Sequence, residues 1–425
     1  MFSTRFGRAV IFFATSFLLA AAQGVFASSH VRIVRLSDIE GTVHIDRATG
    51  QGFEKAIMNM PVTQGVRLRT DASGRAEIEF ENGTVLRLAD NSAVQFTDLS
   101  LGSDGQRATA VHLDQGTVYV DYKHKGGDAL SLDAANESIK PNADVHFRMQ
   151  LDGSNARIAV FRGELEVPGN GEMAKLKKGE TFNLDLSNSS NDLLAKSIST
   201  LPADQWDTER TSYNTQYAAN YNRNQVPYMY GYSGLNYYGS FFSVPGYGML
   251  WQPFGVSALW DPFSAGAWAF YPGAGYMWVS GYPWGWTPYR YGSWVYASGF
   301  GWAWQPGGWG AYSAFPVILN APPGWRQPVP PPTSGGIRPT IVVGTPVTAR
   351  PAMGMLNSTM RRPNVPLNRA SMPPMATARP GLPASRASSL PSQRTASTHP
   401  SVPESPSMSA PPAGSSSSGR TVVRH

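Results

Sequence analysis

Not one of the 425 residues is cysteine. That excludes a disulfide framework, a thiolate metal site, a cysteine nucleophile and a lipidated N-terminal cysteine, so packing alone must hold the folded parts together. Charge is scarce as well, at 15% of residues. No apolar run reaches the roughly 20 residues that a spanning helix needs, so the mature chain is expected to carry no transmembrane helix. Catalytic signatures are missing too. There is no Gly-x-Ser-x-Gly elbow, no His-Glu-x-x-His, no phosphate-binding Gly-x-x-x-x-Gly-Lys loop and no Gly-x-Gly-x-x-Gly. The expectation is a protein that is not an enzyme, with no catalytic residues, no metal and no cofactor.

Two short patterns come near to metal chemistry. His44-Ile-Asp46 and His112-Leu-Asp114 each put a His and an Asp on one strand face. Two ligands are too few for a closed site, and exposed strand positions explain them as well. Glu77, Glu79 and Glu81 alternate in the same way, and the simplest reading is a solvated strand face.

What is present is strongly segregated. Residues 1–27 carry +2, 28–210 carry −7, 211–325 carry +1 and 326–425 carry +10. All 12 Trp lie between Trp206 and Trp325. Residues 1–27 have the form of a secretory signal peptide. Arg5 and Arg8 precede the apolar run Val10–Ala22, and Val25-Phe26-Ala27 offers small residues for cleavage before Ser28. The chain is therefore expected to be exported, to the periplasm or beyond.

Residues 30–187 alternate with period 2, broken by Gly, Asn and Asp, as short half-buried strands do. The expected strands are Val31–Arg35, Gly41–Ile45, Val66–Arg69, Ala76–Phe80, Thr84–Leu88, Ala93–Phe96, Ala110–Leu113, Thr117–Tyr122, Val145–Leu151, Arg157–Phe161, Glu164–Val167 and Thr181–Leu184. The fold class is all-β. One hairpin is legible in detail. A two-residue turn at Asn82-Gly83 would set Ile78 opposite Arg87. A three-residue loop of Glu81, Asn82 and a left-handed Gly83 instead pairs Ile78 with Leu86 and Ala76 with Leu88. It also places Glu77 opposite Arg87, on a face expected to meet solvent.

The ordered landmarks of this region are Gly41-Thr-Val43, Gly65-Val-Arg-Leu68 with Thr70, Asn82-Gly83-Thr84 with Leu86, Leu113-Asp-Gln-Gly116-Thr-Val118, Val160-Phe-Arg-Gly163 and Leu176-Lys-Lys-Gly179-Glu180. Together they resemble the FecR domain, which implies a sandwich or a short β-solenoid. In that family the domain lies outside the cytoplasmic membrane, senses a loaded outer-membrane transporter and signals to a sigma factor. This chain has no cytoplasmic anti-sigma segment and no spanning helix, and Asn142-Ala143-Asp144 stands where the family has Gly-Thr.

A linker helix is expected over 200–222, opened by Pro202, with Trp206, Arg210, Tyr213, Tyr217 and Tyr221 at helical steps as a docking stripe. Residues 228–325 then repeat. Gly239-Ser-Phe241, Gly266-Ala-Trp268 and Gly292-Ser-Trp294 are spaced 27 and 26 apart. Gly248-Met-Leu-Trp251, Gly275-Tyr-Met-Trp278 and Gly301-Trp-Ala-Trp304 share that spacing. The alternation predicts one aromatic β-hairpin per unit. It looks like the Trp-Gly-Tyr repeats that follow FecR-like domains in some exported bacterial proteins. Three uses of the rings are open: a packed core, a carbohydrate-stacking surface or an adhesive patch. Trp251, Trp268, Trp278, Trp294, Trp302 and Trp304 are the candidate ligand-stacking aromatics. With only Arg223 and Arg290 as cations among residues 211–325, the segment is unsuited to nucleic acid.

Residues 326–425 hold 11 Arg, no Lys and one acid, Glu404. Few large apolar residues occur among the prolines and serines, so this tail is expected to be disordered. The reading is thus a non-enzymatic exported protein that binds or scaffolds in the cell envelope, with a protein or polysaccharide partner. The alternatives are a polysaccharide-binding protein that uses the aromatic repeat, and a FecR-like sensor of an outer-membrane transporter.

Overall fold

A computed structural model of the chain describes residues 31–169, 172–188, 191–219, 226–257, 259–332 and 342–343. The predicted signal peptide, Tyr221 and nearly all of the tail lie outside these residues. The chain divides into two compact units at Asn364, and every described residue belongs to the first.

The acidic module is two sheets joined through one long strand, Arg107–Tyr122. The C-terminal half of that strand pairs with Val85–Leu88 and Val145–Asp152. Its N-terminal half pairs with Ala93–Leu101 and, in parallel, with Ala129–Ala134. Two separate strands, 110–113 and 117–122, are expected from the sequence, yet the ladder runs through. The register slips at Asp114, since Ala93 faces Gln115 and Val94 faces Leu113. Gly116 then takes φ +88°, and a Cβ there would fall within 3.0 Å of Ser92. Bulge and glycine together bend one strand from the first sheet into the second. The first strand also differs from expectation: it spans Val34–Glu40, with Arg32 ahead of it and already buried.

The two sheets share one core that includes Leu36, Ile45, Leu68, Ile78, Leu86, Val94, Leu113, Val118 and Phe147. The Ala76–Leu88 hairpin has the bulged register: Ala76 faces Leu88, Glu77 faces Arg87 and Ile78 faces Leu86, with Gly83 at φ +90°.

Helix α1 spans Pro202–Ala218, with Pro in its first turn. Two shorter helices follow, α2 at Tyr232–Tyr238 and α3 at Thr287–Arg290. Each repeat of the aromatic module is one antiparallel hairpin. The three pair Gly239–Val244 with Gly248–Pro253, Gly266–Tyr271 with Gly275–Ser280, and Ser293–Ala297 with Gly301–Gln305. The first and third merge into a five-stranded sheet, closed by the parallel segment Val317–Leu319. Across it runs a single rung, Phe241–Trp251–Trp304–Trp294–Ile318.

The repeat has a steric reason. A Cβ on Gly239, Gly266 or Gly292 would lie within 3.0 Å of the ring of Trp251, Trp278 or Trp304 respectively. The leading glycine of each unit gives its own tryptophan, twelve residues on, the room to lie flat over the backbone.

Candidate functional site

The central strands of the first sheet are buried on both faces. Arg75–Glu79, Val85–Leu88 and the stretch Gly116–Tyr122 of the long strand contain no exposed position. The outer face of this sheet carries a polar rung, Asp38–Glu77–Arg87–Tyr119–Arg148. Helix α1 lies along it and presents Asp204, Asp207 and Arg210 beside the buried Ala203 and Trp206. Asp204 accepts from Tyr119 Oη at 2.7 Å and from Arg148 Nη1 at 2.6 and 2.8 Å, and also caps the helix by accepting from Leu201 N at 2.9 Å. Asp207 accepts from Arg87 Nη1 at 2.6 Å. His146 Nε2 lies 2.9 Å from Asp207 Oδ2, within ion-pair range but off the hydrogen-bond direction. Arg210 binds Glu77 through both Nε, at 3.0 Å, and Nη2, while Arg87 Nε donates to Glu77 from the strand side at 2.8 Å.

Glu77, Glu79 and Glu81 are therefore not a solvated face. They are 0, 6 and 9% exposed. Each meets arginine: Glu77 meets Arg87 and Arg210, Glu79 meets Arg35 at 2.9 Å, and Glu81 meets Arg32 at 2.9 Å. Alternation places the three on one face correctly. What covers that face comes from 130 residues or more further along the chain. Burial alone would raise the Glu77 pKa, but the Arg210 and Arg87 guanidiniums overcome it and hold the carboxyl far below the usual carboxylate range.

The same row continues into the aromatic module. Gly231 N donates to Glu79 Oε2 at 2.8 Å and Met229 N to Glu81 O at 3.1 Å. Arg35 Nη2 reaches Pro283 O at 2.7 Å, and Asn59 Nδ2 reaches Ser280 O and Tyr282 O at 3.0 and 2.6 Å. Arg47 bridges Glu54 to Phe270 O. Helix α1 spans the seam. Its Trp206 lies under Arg75, while Tyr213 and Tyr217 pack on Tyr237 of α2. Arg35, Arg47 and Asn59 are the seam residues that period-2 reading passes over, because a buried polar side chain and a solvated one look alike in a strand pattern.

The second sheet keeps an open face. His44, Asp46, Gln95, His112 and Asp133 are half-buried, and Arg67, Arg69 and Asp114 are exposed. Phe53 projects there, with the guanidiniums of Arg69 and Arg67 at 4.7 and 5.9 Å from its ring. His44 pairs with Asp71 at 3.2 Å and His112 lies 3.8 Å from Asp114. Among the described residues no group of three or more His, Asp or Glu is placed to hold a metal.

All six candidate stacking tryptophans point inward. Trp251, Trp278, Trp294 and Trp304 are 0% exposed, and Trp268 and Trp302 are 3%. They form one cluster with Trp284, Tyr289 and Phe263. Trp251 Nε1 donates to Leu235 O at 3.0 Å and Trp304 Nε1 to Tyr291 O at 2.8 Å. Trp268, Trp278 and Trp294 have no acceptor among the described residues. Their rings meet neighbours edge-to-face, as in Trp268–Trp278 at 5.5 Å and Trp294–Trp260 at 5.8 Å. As folded, the six rings offer no face on which a sugar could stack. Arg290 is a buried cation beside them. Burial brings its pKa down to about 10, and its guanidinium is solvated by carbonyls, chiefly Trp278 O at 2.6 Å.

Residues 66–166 form a FecR domain, matching the family described as FecR protein, and residues 232–326 match a family of unknown function, DUF6600. Crystal structures at 2.50 and 1.65 Å of a protein from Parabacteroides distasonis, described as an anti-sigma factor, are similar to part of the chain. Identity is 15% and the TM-score 0.26, over 31% of this chain and 59% of that one. No match was found among curated proteins. Among the described residues no helix is long and apolar enough to cross a membrane.

Proposed function

We propose that the protein is a non-enzymatic, exported component of the cell envelope that binds a protein partner through the free sheet face of its FecR domain. The observation that carries this reading is the unequal treatment of the two sheets. The outer face of the first sheet is closed over its central strands by α1 through buried ion pairs and by the aromatic module through hydrogen bonds, whereas the second sheet alternates buried and solvent-facing residues in Val43–Asp46 and Arg67–Thr70. The aromatic module acts as the scaffold that closes the first face. Phe53 between Arg67 and Arg69 is the anchor on the second, since an exposed aromatic flanked by arginines has the composition of a binding hot spot. The regulatory character of FecR proteins supports a binding role rather than a catalytic one.

The test is crosslinking in an envelope extract with the full chain and with an Arg67→Glu/Arg69→Glu variant. A defined partner retained by the first and lost by the second, with unchanged thermal stability, is the expected result. A partner captured equally by both would overturn the assignment of the face.

A further inference from the structure

The second hairpin of the aromatic module stands outside the sheet that the other two share. In that sheet Gly239–Val244 forms one edge, and Ser293–Ala297 is covered on its outer side by Val317–Leu319. Strand Gly266–Tyr271 is not part of it. Its outer edge meets Val342–Val343, with Ala267 opposite Val343 and Trp268 opposite Val342 in antiparallel register.

Hydrogen-bond parity makes this pairing specific. Trp278 N donates to Ala314 O at 2.9 Å, so Trp268 and Trp278 face each other as a non-bonded pair of their hairpin. The N–H and C=O of Trp268 consequently point to the opposite edge, where Val342 lies across from them. Phe270 O points the same way and is taken by Arg47. Trp268 is buried, so an unpaired backbone N–H there would carry a desolvation penalty. The occupying segment is also distinctive in sequence. Ile341-Val342-Val343 is a β-branched run between Pro339 and Gly344, inside a stretch dominated by Pro, Ser and Arg. Val317-Ile318-Leu319, which follows Pro316 and closes the third hairpin, is a segment of the same kind.

The geometry points to a strand-docking site along the outer edge of Gly266–Tyr271, whose occupant is the 342–343 segment of the same chain. Backbone pairing at Trp268 latches the tail to the aromatic module and tethers the arginine-rich chain that follows. The ligand class is an extended β-branched peptide, recognised by main-chain hydrogen bonds as in β-strand addition.

The latch is tested on the full chain labelled with ¹⁵N-tryptophan, by following amide exchange at Trp268 and Trp278 in the native protein and in Val342→Pro. Proline removes the donor at 342 without touching the folded modules. The expected result is at least tenfold faster exchange at Trp268 with Trp278 unchanged, and slow exchange restored when a peptide spanning residues 339–345 is added. Equal exchange at Trp268 in the two proteins would overturn the proposal. So would acceleration at both amides, which would make the segment part of the hairpin core, or a failure of the peptide to restore protection.

Discussion

At the scale of single residues, the account turns on Glu77. Two guanidiniums, from Arg87 on the neighbouring strand and Arg210 on helix α1, converge on a carboxylate with no solvent exposure. Removing one partner of such a group leaves the others charged and buried, so Glu77→Gln should cost about 3–5 kcal/mol of unfolding free energy by chemical denaturation. The pH dependence has a definite sign. Because the folded chain holds Glu77 below its ordinary value of 4.5, its contribution is fully present above that pH and drains away as pH falls beneath it. The native protein should lose stability on acidification below about pH 4.5, and Glu77→Gln should show a shallower loss over the same window. Equal acid slopes for both would contradict this. The pairing of Glu77 with Arg87 is legible in the sequence, because Asn82-Gly83 and the alternation on either side admit only one apolar register. Its burial is not, because strand periodicity reports which residues share a face and is silent on what covers that face.

At the scale of the element, each hairpin of the aromatic module depends on a glycine under its own tryptophan. Gly266→Ala drives a methyl group into the Trp278 ring and should cost about 1–3 kcal/mol, as overpacking of a filled core does. Gly310→Ala, where nothing lies within 4 Å of the added carbon, should change stability by less than about 0.5 kcal/mol. Denaturation midpoints of the two variants, measured together, check the contrast. The spacing of 26 and 27 discloses the hairpins because the glycine and the ring that lies over it must recur as a pair. Whether the rings face in or out is beyond a spacing argument. An alternating strand buries one side, and only the fold decides that Trp251, Trp294 and Trp304 share the inner one. Helix α1 shows the complementary limit. Its stripe of Trp206 and Arg210 is visible as helical periodicity, but Asp204 and Asp207, which bind Arg148 and Arg87, read as ordinary helix-surface acids.

At the scale of the whole molecule, the central claim is that the FecR domain and the aromatic module are held as one body by the charged seam. The distribution of tryptophan makes this directly measurable. None of the 12 Trp lies before Trp206, so tryptophan fluorescence reports α1 and the aromatic module alone, whereas far-ultraviolet circular dichroism reports the strands of both modules. The decisive measurement is thermal unfolding of the full chain followed by the two signals at once. The account predicts coincident transitions in the native protein that move down together in Glu77→Gln. Two separated transitions in the native protein, or a Glu77→Gln shift confined to the dichroism signal, would contradict it.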